Sequence, residues 1–454
     1  MSTIAGISTP DATGGISVIR ISGDDAINIA EKVFVPAGKK TVSDMKGYTC
    51  CYGTVYDDGE RIDDCILTVF RRPHSYTGED VAEISCHGGI YVTRRILRTL
   101  LKNGADNAQA GEFTKRAYLN GKMDLTQAEA VMEIISAKGE RELRMAENLR
   151  EGAVFRKVEK CSDKLLKILG DLSAWTDYPE DDIPEVRPEN LRRELMEVRK
   201  EMLSLTENYD SGRIIREGVA TAIIGKPNVG KSTLFNCLSG CERSIVTDIA
   251  GTTRDVVEES VKIGDLVLRL SDTAGIRKTN DVIEEIGVNI AEKLLYSSEL
   301  VIAVFDGNSP LTQEDIDLLR KIDDKKTVAV INKSDKGILP EIPEEIEKYI
   351  PHIVYLSARE NTGFDLLRET IEDIFRINES TFSAPSVANE RQKKCIDSAL
   401  VCIDSAVSAL ENGEFLDAVN VLIDEAEQYL LSLTGKKITD AVVDEVFSRF
   451  CVGK

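Results

Sequence analysis

Residues 225–232 read Gly-Lys-Pro-Asn-Val-Gly-Lys-Ser and follow directly on the apolar run Val219–Ile224. A strand ending in a glycine-rich turn, with Lys-Ser opening a helix, is the phosphate-binding loop of nucleotide hydrolases. The glycines let successive backbone N–H groups curl toward a phosphate with no Cβ in the way. The following helix presents its positive end to the same anion. Asn228, Val229, Gly230 and Thr233 complete the nucleotide contacts expected here. Lys231 is expected to reach the β/γ-phosphates, and the Ser232 hydroxyl to ligate Mg²⁺.

Three further elements follow in order. Residues 266–270 read as a strand leading to Asp272-Thr273-Ala274-Gly275, where a carboxylate can bind Mg²⁺ through water and the Gly275 N–H can reach the γ-phosphate. Residues 328–331 lead into Asn332-Lys333-Ser334-Asp335. The Asp335 carboxylate can accept from N1–H and the exocyclic amine of guanine. Adenine lacks both donors, so the expected nucleotide is GTP. Residues 354–356 precede Ser357-Ala358-Arg359, similar to the loop that closes over guanine in small GTPases. Between the phosphate loop and Asp272 lies Thr247-Asp248-Ile249-Ala250-Gly251-Thr252-Thr253. A threonine here can hold Mg²⁺ while the γ-phosphate is present and release it after hydrolysis, and Thr253 is the expected ligand.

Ile276 stands where small signalling GTPases usually carry a water-orienting glutamine. Glu284 or Glu285, in the same switch, is a candidate to replace it; as solvated helix acids they would do nothing. Transition-state charge also needs a partner. Arg254, Arg277 and Lys278 are candidates in cis, and a K⁺ ion held beside Asn228 is the other route.

The chain resembles the MnmE (TrmE) family of tRNA-modification GTPases over essentially its whole length. The resemblance is carried by residues 14–23 (GGISVIRISG), 76–83 (YTGEDVAE), 86–89 (CHGG), 111–117 (GEFTKRA), 119–125 (LNGKMDL) and the terminal Phe450-Cys451-Val452-Gly453-Lys454. It implies a K⁺-stimulated GTPase in which Asn228, Thr247, Ile249 and Thr252 form the K⁺ site. Ser232 and Thr253 would hold Mg²⁺, and Glu284 would orient the attacking water. It implies a homodimer formed through the N-terminal domain. It also implies a flavin-dependent partner, MnmG (GidA), in a heterotetramer-type complex. The pair would install a carboxymethylaminomethyl or aminomethyl group on the wobble uridine of certain tRNAs. The one-carbon unit would come from a tetrahydrofolate derivative, 5-formyl- or 5,10-methylene-, contacted by Arg20, Glu83, Lys122 and Lys454. Cys451 would take part in the modification. On their residues alone, Arg20 could simply pair with an acid and Lys122 could be a solvated lysine after the Asn120-Gly121 turn. Cys451 could be an inert core thiol, continuing the helical face of Val443, Val446, Phe447 and Phe450. A regulatory or ribosome-assembly GTPase acting by partner binding is the alternative that the GTPase motifs leave open.

The expected fold is multi-domain, α/β and all-α. An N-terminal α+β domain, the folate-binding and dimerisation domain in the resemblance, covers residues 1–118. A helical domain covers 119–213 and 384–454. Inserted between its halves, 214–383 is a Ras-like P-loop GTPase domain with a doubly wound, mostly parallel sheet. Leu125, Ala128, Met132 and Ile135 fall on one helix face, as do Leu165, Ile168, Leu169 and Leu172, and residues 178–184 interrupt the helices as an acidic loop. With 57 Lys and Arg against 78 Asp and Glu, the net charge of −21 argues against a large autonomous RNA-binding surface, so tRNA is expected to be held mainly by the partner. Arg94, Arg95, Arg98 and Lys102 form a local basic stripe, read as a solvated helix face. Ten cysteines without a Cys-x-x-Cys, and three histidines, argue for reduced thiols and against a zinc site. No apolar run is long enough to span a bilayer and no leader is evident, so a cytoplasmic protein with no membrane partner is expected.

Overall fold

The computed structural model describes residues 1–177, 187–240, 258–263, 266–271, 298–322, 325–375, 377 and 384–453. The acidic segment 178–184 therefore lies outside the described residues. The chain forms two compact units, one of Met1–Ser136, Glu147–Leu203 and Glu390–Lys454, the other of Ala137–Ala146 and Ser204–Asn389.

The first unit opens with a seven-stranded sheet. Its strands are β1 (Ile4–Ile7), β2 (Ile16–Ser22), β3 (Phe34–Pro36), β4 (Thr49–Asp57), β5 (Glu60–Phe70), β6 (Val81–His87) and β7 (Asp106–Asn107), in the order β3-β4-β5-β6-β2-β1-β7. All pairs are antiparallel except β1 with β7. Side chains alternate along each strand. Ile19 and Ile21, Cys65, Leu67 and Val69, and Ala82, Ile84 and Cys86 are buried in a core shared with helices Ala26–Val33 and Ile90–Lys102. The intervening Arg20 and Glu83, register partners on β2 and β6, consequently occupy the other face.

Helices Leu125–Ser136, Ala153–Asp177, Pro188–Thr206, Glu390–Glu411, Leu416–Thr434 and Asp440–Ser448 follow the 3.6-residue apolar period. Leu125, Ala128, Leu165, Ile168 and Leu172 are buried as that period predicts, while Ile135 is exposed. Arg391 clamps Glu129 through two 2.8 Å bonds, and Ser162 donates to Glu427 at 2.5 Å. The C-terminal residues return to the sheet: Val452 pairs with Ala110, the Gly111 N–H donates to the Cys451 carbonyl at 3.3 Å, and Ser8 Oγ donates to the Gly453 carbonyl at 3.1 Å.

The second unit holds strands β8 (Val219–Ile224), β9 (Glu258–Ile263), β10 (Leu266–Ser271), β11 (Leu300–Asp306), β12 (Thr327–Asn332) and β13 (Ile353–Tyr355), ordered β13-β12-β11-β8-β10-β9. Among the described strands of this sheet only the β9–β10 pair is antiparallel. Alternate residues of β11 enter different cores: Leu300, Ile302 and Val304 one, Val301, Ala303 and Phe305 the other. A strand buried on both faces is apolar along its middle, which is why residues 300–305 of β11 and 328–331 of β12 read as unbroken apolar runs. Among the described residues no helix is long and apolar enough to cross a membrane.

Candidate functional site

Ligands of open parallel sheets bind beyond the carboxyl ends of the strands, and the second unit gathers its polar loops there. β8 runs into the 225–230 turn, and helix Lys231–Gly240 starts immediately after it. Gly225 (φ 146°), Asn228 (φ 66°) and Gly230 (φ 102°) all have positive φ, a conformation glycine adopts freely and asparagine tolerates. A Cβ on Gly225 would strike the Val304 carbonyl, and one on Gly230 would strike Asn332 Nδ2. The turn is thus a cradle with room for backbone only. Lys231 Nζ donates to the carbonyls of Gly225 (2.6 Å) and Lys226 (2.8 Å), Val229 is buried in the core, and Ser232 and Thr233 are exposed in the first turn of the helix.

The loop expected to read the base is tied to this cradle. Asn332, 3% exposed, donates from Nδ2 to the Val229 carbonyl at 2.8 Å and accepts the Ala358 N–H on Oδ1 at 3.0 Å. One amide therefore holds three loops. Lys333 Nζ donates to the Asn228 carbonyl at 3.0 Å. Ser357 Oγ donates to Asp335 Oδ1 at 2.7 Å, which fixes the carboxylate in place and holds it below its ordinary value. Arg359 is exposed.

Several predicted residues lie outside the described residues: Thr247, Asp248, Ile249, Ala250, Gly251, Thr252, Thr253, Arg254, Asp272, Thr273, Ala274, Gly275, Ile276, Arg277, Lys278, Glu284, Glu285 and Lys454. Of the residues expected to hold Mg²⁺ and K⁺, Ser232 and Asn228 are described. Their placement beside the cradle fits cations bound to a triphosphate there.

In the first unit, Arg20 Nε pairs with Glu83 Oε1 at 2.8 Å, and the guanidinium carbon lies 5.2 Å from the Tyr76 ring centre and 5.5 Å from that of Phe113. Tyr76 also lines a cleft of about 500 Å³ with Lys122, Met123, Val131 and Arg150. Lys122 Nζ donates to the Pro73 carbonyl at 3.0 Å. Cations beside aromatic and apolar walls fit a flat, anionic ligand such as a folate.

Three findings bear on the alternatives. Cys451 is exposed, which corrects the core-thiol reading. The helix stops at Ser448, so its period, which buries Val443 and Phe447, does not govern residue 451; Phe450 is buried beyond the helix end, and Val452 turns to pair with Ala110. The stripe on Ile90–Lys102 is largely neutralised: Arg94 pairs with Asp11, Arg95 with Glu60 and Lys102 with Asp57 and Asp58. Sequence reasoning passed over Asp306 and Asn308, which contact Lys333. The available signal was an Asp-Gly-Asn turn at the carboxyl end of a central strand.

Residues 3–122 match the family model described as GTP-binding protein TrmE N-terminus, and residues 125–451 match that of the MnmE helical domain. A tRNA modification GTPase MnmE of Clostridioides difficile is 40% identical over 456 residues, spanning 100% of this chain and 99% of its own. One of Thermoanaerobacter pseudethanolicus, under the same name, is 41% identical over 466 residues with the same coverage.

Proposed function

The chain belongs to the MnmE family of tRNA modification GTPases, and from that premise we propose that it couples GTP hydrolysis to modification of the wobble uridine of certain tRNAs. The observation that carries the nucleotide half is Asn332, whose single amide joins the phosphate cradle to the base loop while Ser357 keeps Asp335 ready for guanine. In this reading Lys231 and the N–H groups of the cradle bind the β- and γ-phosphates, and Asp335 selects guanine. Asn332, Lys333, Ser357, Ala358 and Arg359 shape the base pocket. Ser232 and Thr253 hold Mg²⁺, aided by Asp272. Asn228, Thr247, Ile249 and Thr252 hold K⁺, which when bound offsets the charge that develops between the β- and γ-phosphates. Glu284 orients the attacking water in place of the glutamine that Ile276 replaces.

The modification half is assigned to the first unit. Arg20, Glu83, Lys122 and Lys454 bind a tetrahydrofolate derivative, which supplies the one-carbon unit. Supporting this, Glu83 engages Arg20 through one oxygen only, leaving the other to accept from pterin N–H donors. Cys451 is accessible for a chemical role. The protein acts in the cytoplasm as a homodimer with the flavoprotein MnmG (GidA), which contributes most of the tRNA contacts. The domain limits proposed are 1–118, 119–213 with 384–454, and 214–383.

Mass spectrometry of wobble nucleosides from cells lacking this chain tests the assignment. Carboxymethylaminomethyl and aminomethyl uridines are expected to disappear. Their persistence would favour the regulatory or ribosome-assembly alternative. Turnover by the purified protein should be faster in K⁺ than in Na⁺ at equal ionic strength, and equal rates would remove the K⁺ site.

A further inference from the structure

Lys333 adopts a backbone conformation that side-chain-bearing residues seldom take, φ 65° and ψ 33°. A non-glycine residue stays in this left-handed region only where its surroundings over-determine it. The surroundings come from the turn after β11. Asp306 Oδ2 accepts from Lys333 Nζ at 2.7 Å, and Asn308 Nδ2 donates to the Lys333 carbonyl at 3.0 Å. The turn is itself locked. Asp306 Oδ1 accepts the Asn308 N–H at 3.0 Å, Asp306 Oδ2 accepts from Ser309 Oγ at 3.4 Å, and the Gly307 N–H donates to the Asn332 carbonyl at 2.9 Å.

The same Lys333 ammonium donates to the carbonyl of Asn228, the residue of the phosphate cradle that is also left-handed. It therefore links base loop and cradle, and Asp306 fixes where it sits. The Asp306 side chain is 13% exposed and that of Lys333 31%, so water weakens this charged hydrogen bond less than it would a surface pair. Lys333 is also the residue that launches the short helical turn Ser334–Lys336, and so sets the direction from which Asp335 meets a base.

We infer that Asp306 is a positioning residue for guanine-nucleotide binding, acting through Lys333, with Asn308 as the second brace. The inference rests on the guanine-nucleotide reading and adds two residues to it. Without the carboxylate, the ammonium regains rotamers and its position at the Asn228 carbonyl is lost. The left-handed turn ahead of Asp335 then loses one of its two braces.

Release of a fluorescent GDP (mantGDP) from the full chain tests this in four proteins: wild type, Asp306→Asn, Lys333→Met and the double variant. Asp306→Asn should release nucleotide roughly tenfold faster, the loss expected for one charge-assisted hydrogen bond. In the Lys333→Met background the same substitution should change release less than about twofold, because the group it acts through is gone. A generally loosened fold would not produce that dependence. Unchanged release in Asp306→Asn overturns the inference, as does a full tenfold effect in the Lys333→Met background. If Asp306→Asn fails to fold, Asn308→Ala, which keeps both charges, should release nucleotide roughly threefold faster; no change there overturns the inference equally. A wild-type chain that takes up no mantGDP would instead end the guanine-nucleotide reading on which it rests.

Discussion

Gly230 shows how little room the nucleotide site leaves at a single residue. Its φ of 102° costs a side-chain-bearing residue about 1–2 kcal/mol. Its missing Cβ is the space that Asn332 Nδ2 fills to reach the Val229 carbonyl. Gly230→Ala must push that amide away. One of two hydrogen bonds made by a side chain only 3% exposed is then broken, at a further cost of about 1–3 kcal/mol. The variant should bind GDP at least about tenfold more weakly in calorimetry, with the thermal transition of the first unit unmoved. Affinity within twofold of wild type would show that the cradle can rearrange around a methyl group. The glycine pattern was legible because backbone geometry demands those residue types in that order. The reach of Asn332 into the pattern was not, because it depends on a contact between residues 103 positions apart. Asp306 was illegible for the same reason: an acid after a strand carries no mark of the lysine it holds. Cys451 was misleading, since an apolar period cannot show where its helix ends.

At the scale of elements, helix Leu416–Thr434 falls in the stretch 384–454 that was legible as helical, and its apolar stripe of Val419, Ile423, Ala426 and Leu430 is buried. Glu427 lies beside that stripe and is only 1% exposed. It accepts from Ser162 Oγ with one oxygen, and the other is buried without a hydrogen-bond partner. Burial pushes its carboxyl up to about 7, with Asp163 and Asp424 adding to the rise and Ser162 and Lys436 opposing it. The folded value thus lies above the unfolded one of 4.5. The native state binds the extra proton between those two values, so this contribution is fully present below pH 4.5 and is lost as pH rises through about 7. A rise of that size corresponds to about 3 kcal/mol. Glu427→Gln keeps an acceptor for Ser162 and removes the charge. Its melting curve should overlay that of wild type near pH 4.5 and lie at higher temperature at pH 8. Equal melting at pH 8 would mean that water reaches the carboxylate.

Across the whole chain, the order of domains was legible from motif order and from the change of apolar period, but the closure of the first unit by the chain's own end was not. Neither Ala110 nor Ser8 advertises a partner more than 300 residues away. The end is fixed by shape as well as by hydrogen bonds: Gly453 is buried with φ 94°, and a Cβ there would overlap the Ile7 carbonyl. Ile7 ends the strand β1, whose Gly6 is the register partner of Arg20. The tail therefore approaches the strands that carry the proposed folate contacts, and two roles for it can be separated by deleting residues 451–454. Loss of the Ser8 and Gly111 hydrogen bonds should cost about 2 kcal/mol and lower the melting temperature of the first unit by roughly 4–8 °C. GDP affinity should stay within about twofold, because every described residue proposed to contact the nucleotide belongs to the second unit. Binding of 5-formyltetrahydrofolate, read by calorimetry, should fall well beyond what that loss of stability explains. Gly453→Ala is the control. It strains the same seat while keeping Cys451 and Lys454 in the chain, so if it matches the deletion in both melting and folate binding, the tail acts by closing the fold. If it lowers the melting temperature but keeps more folate affinity than the deletion, the terminal residues contribute contacts of their own.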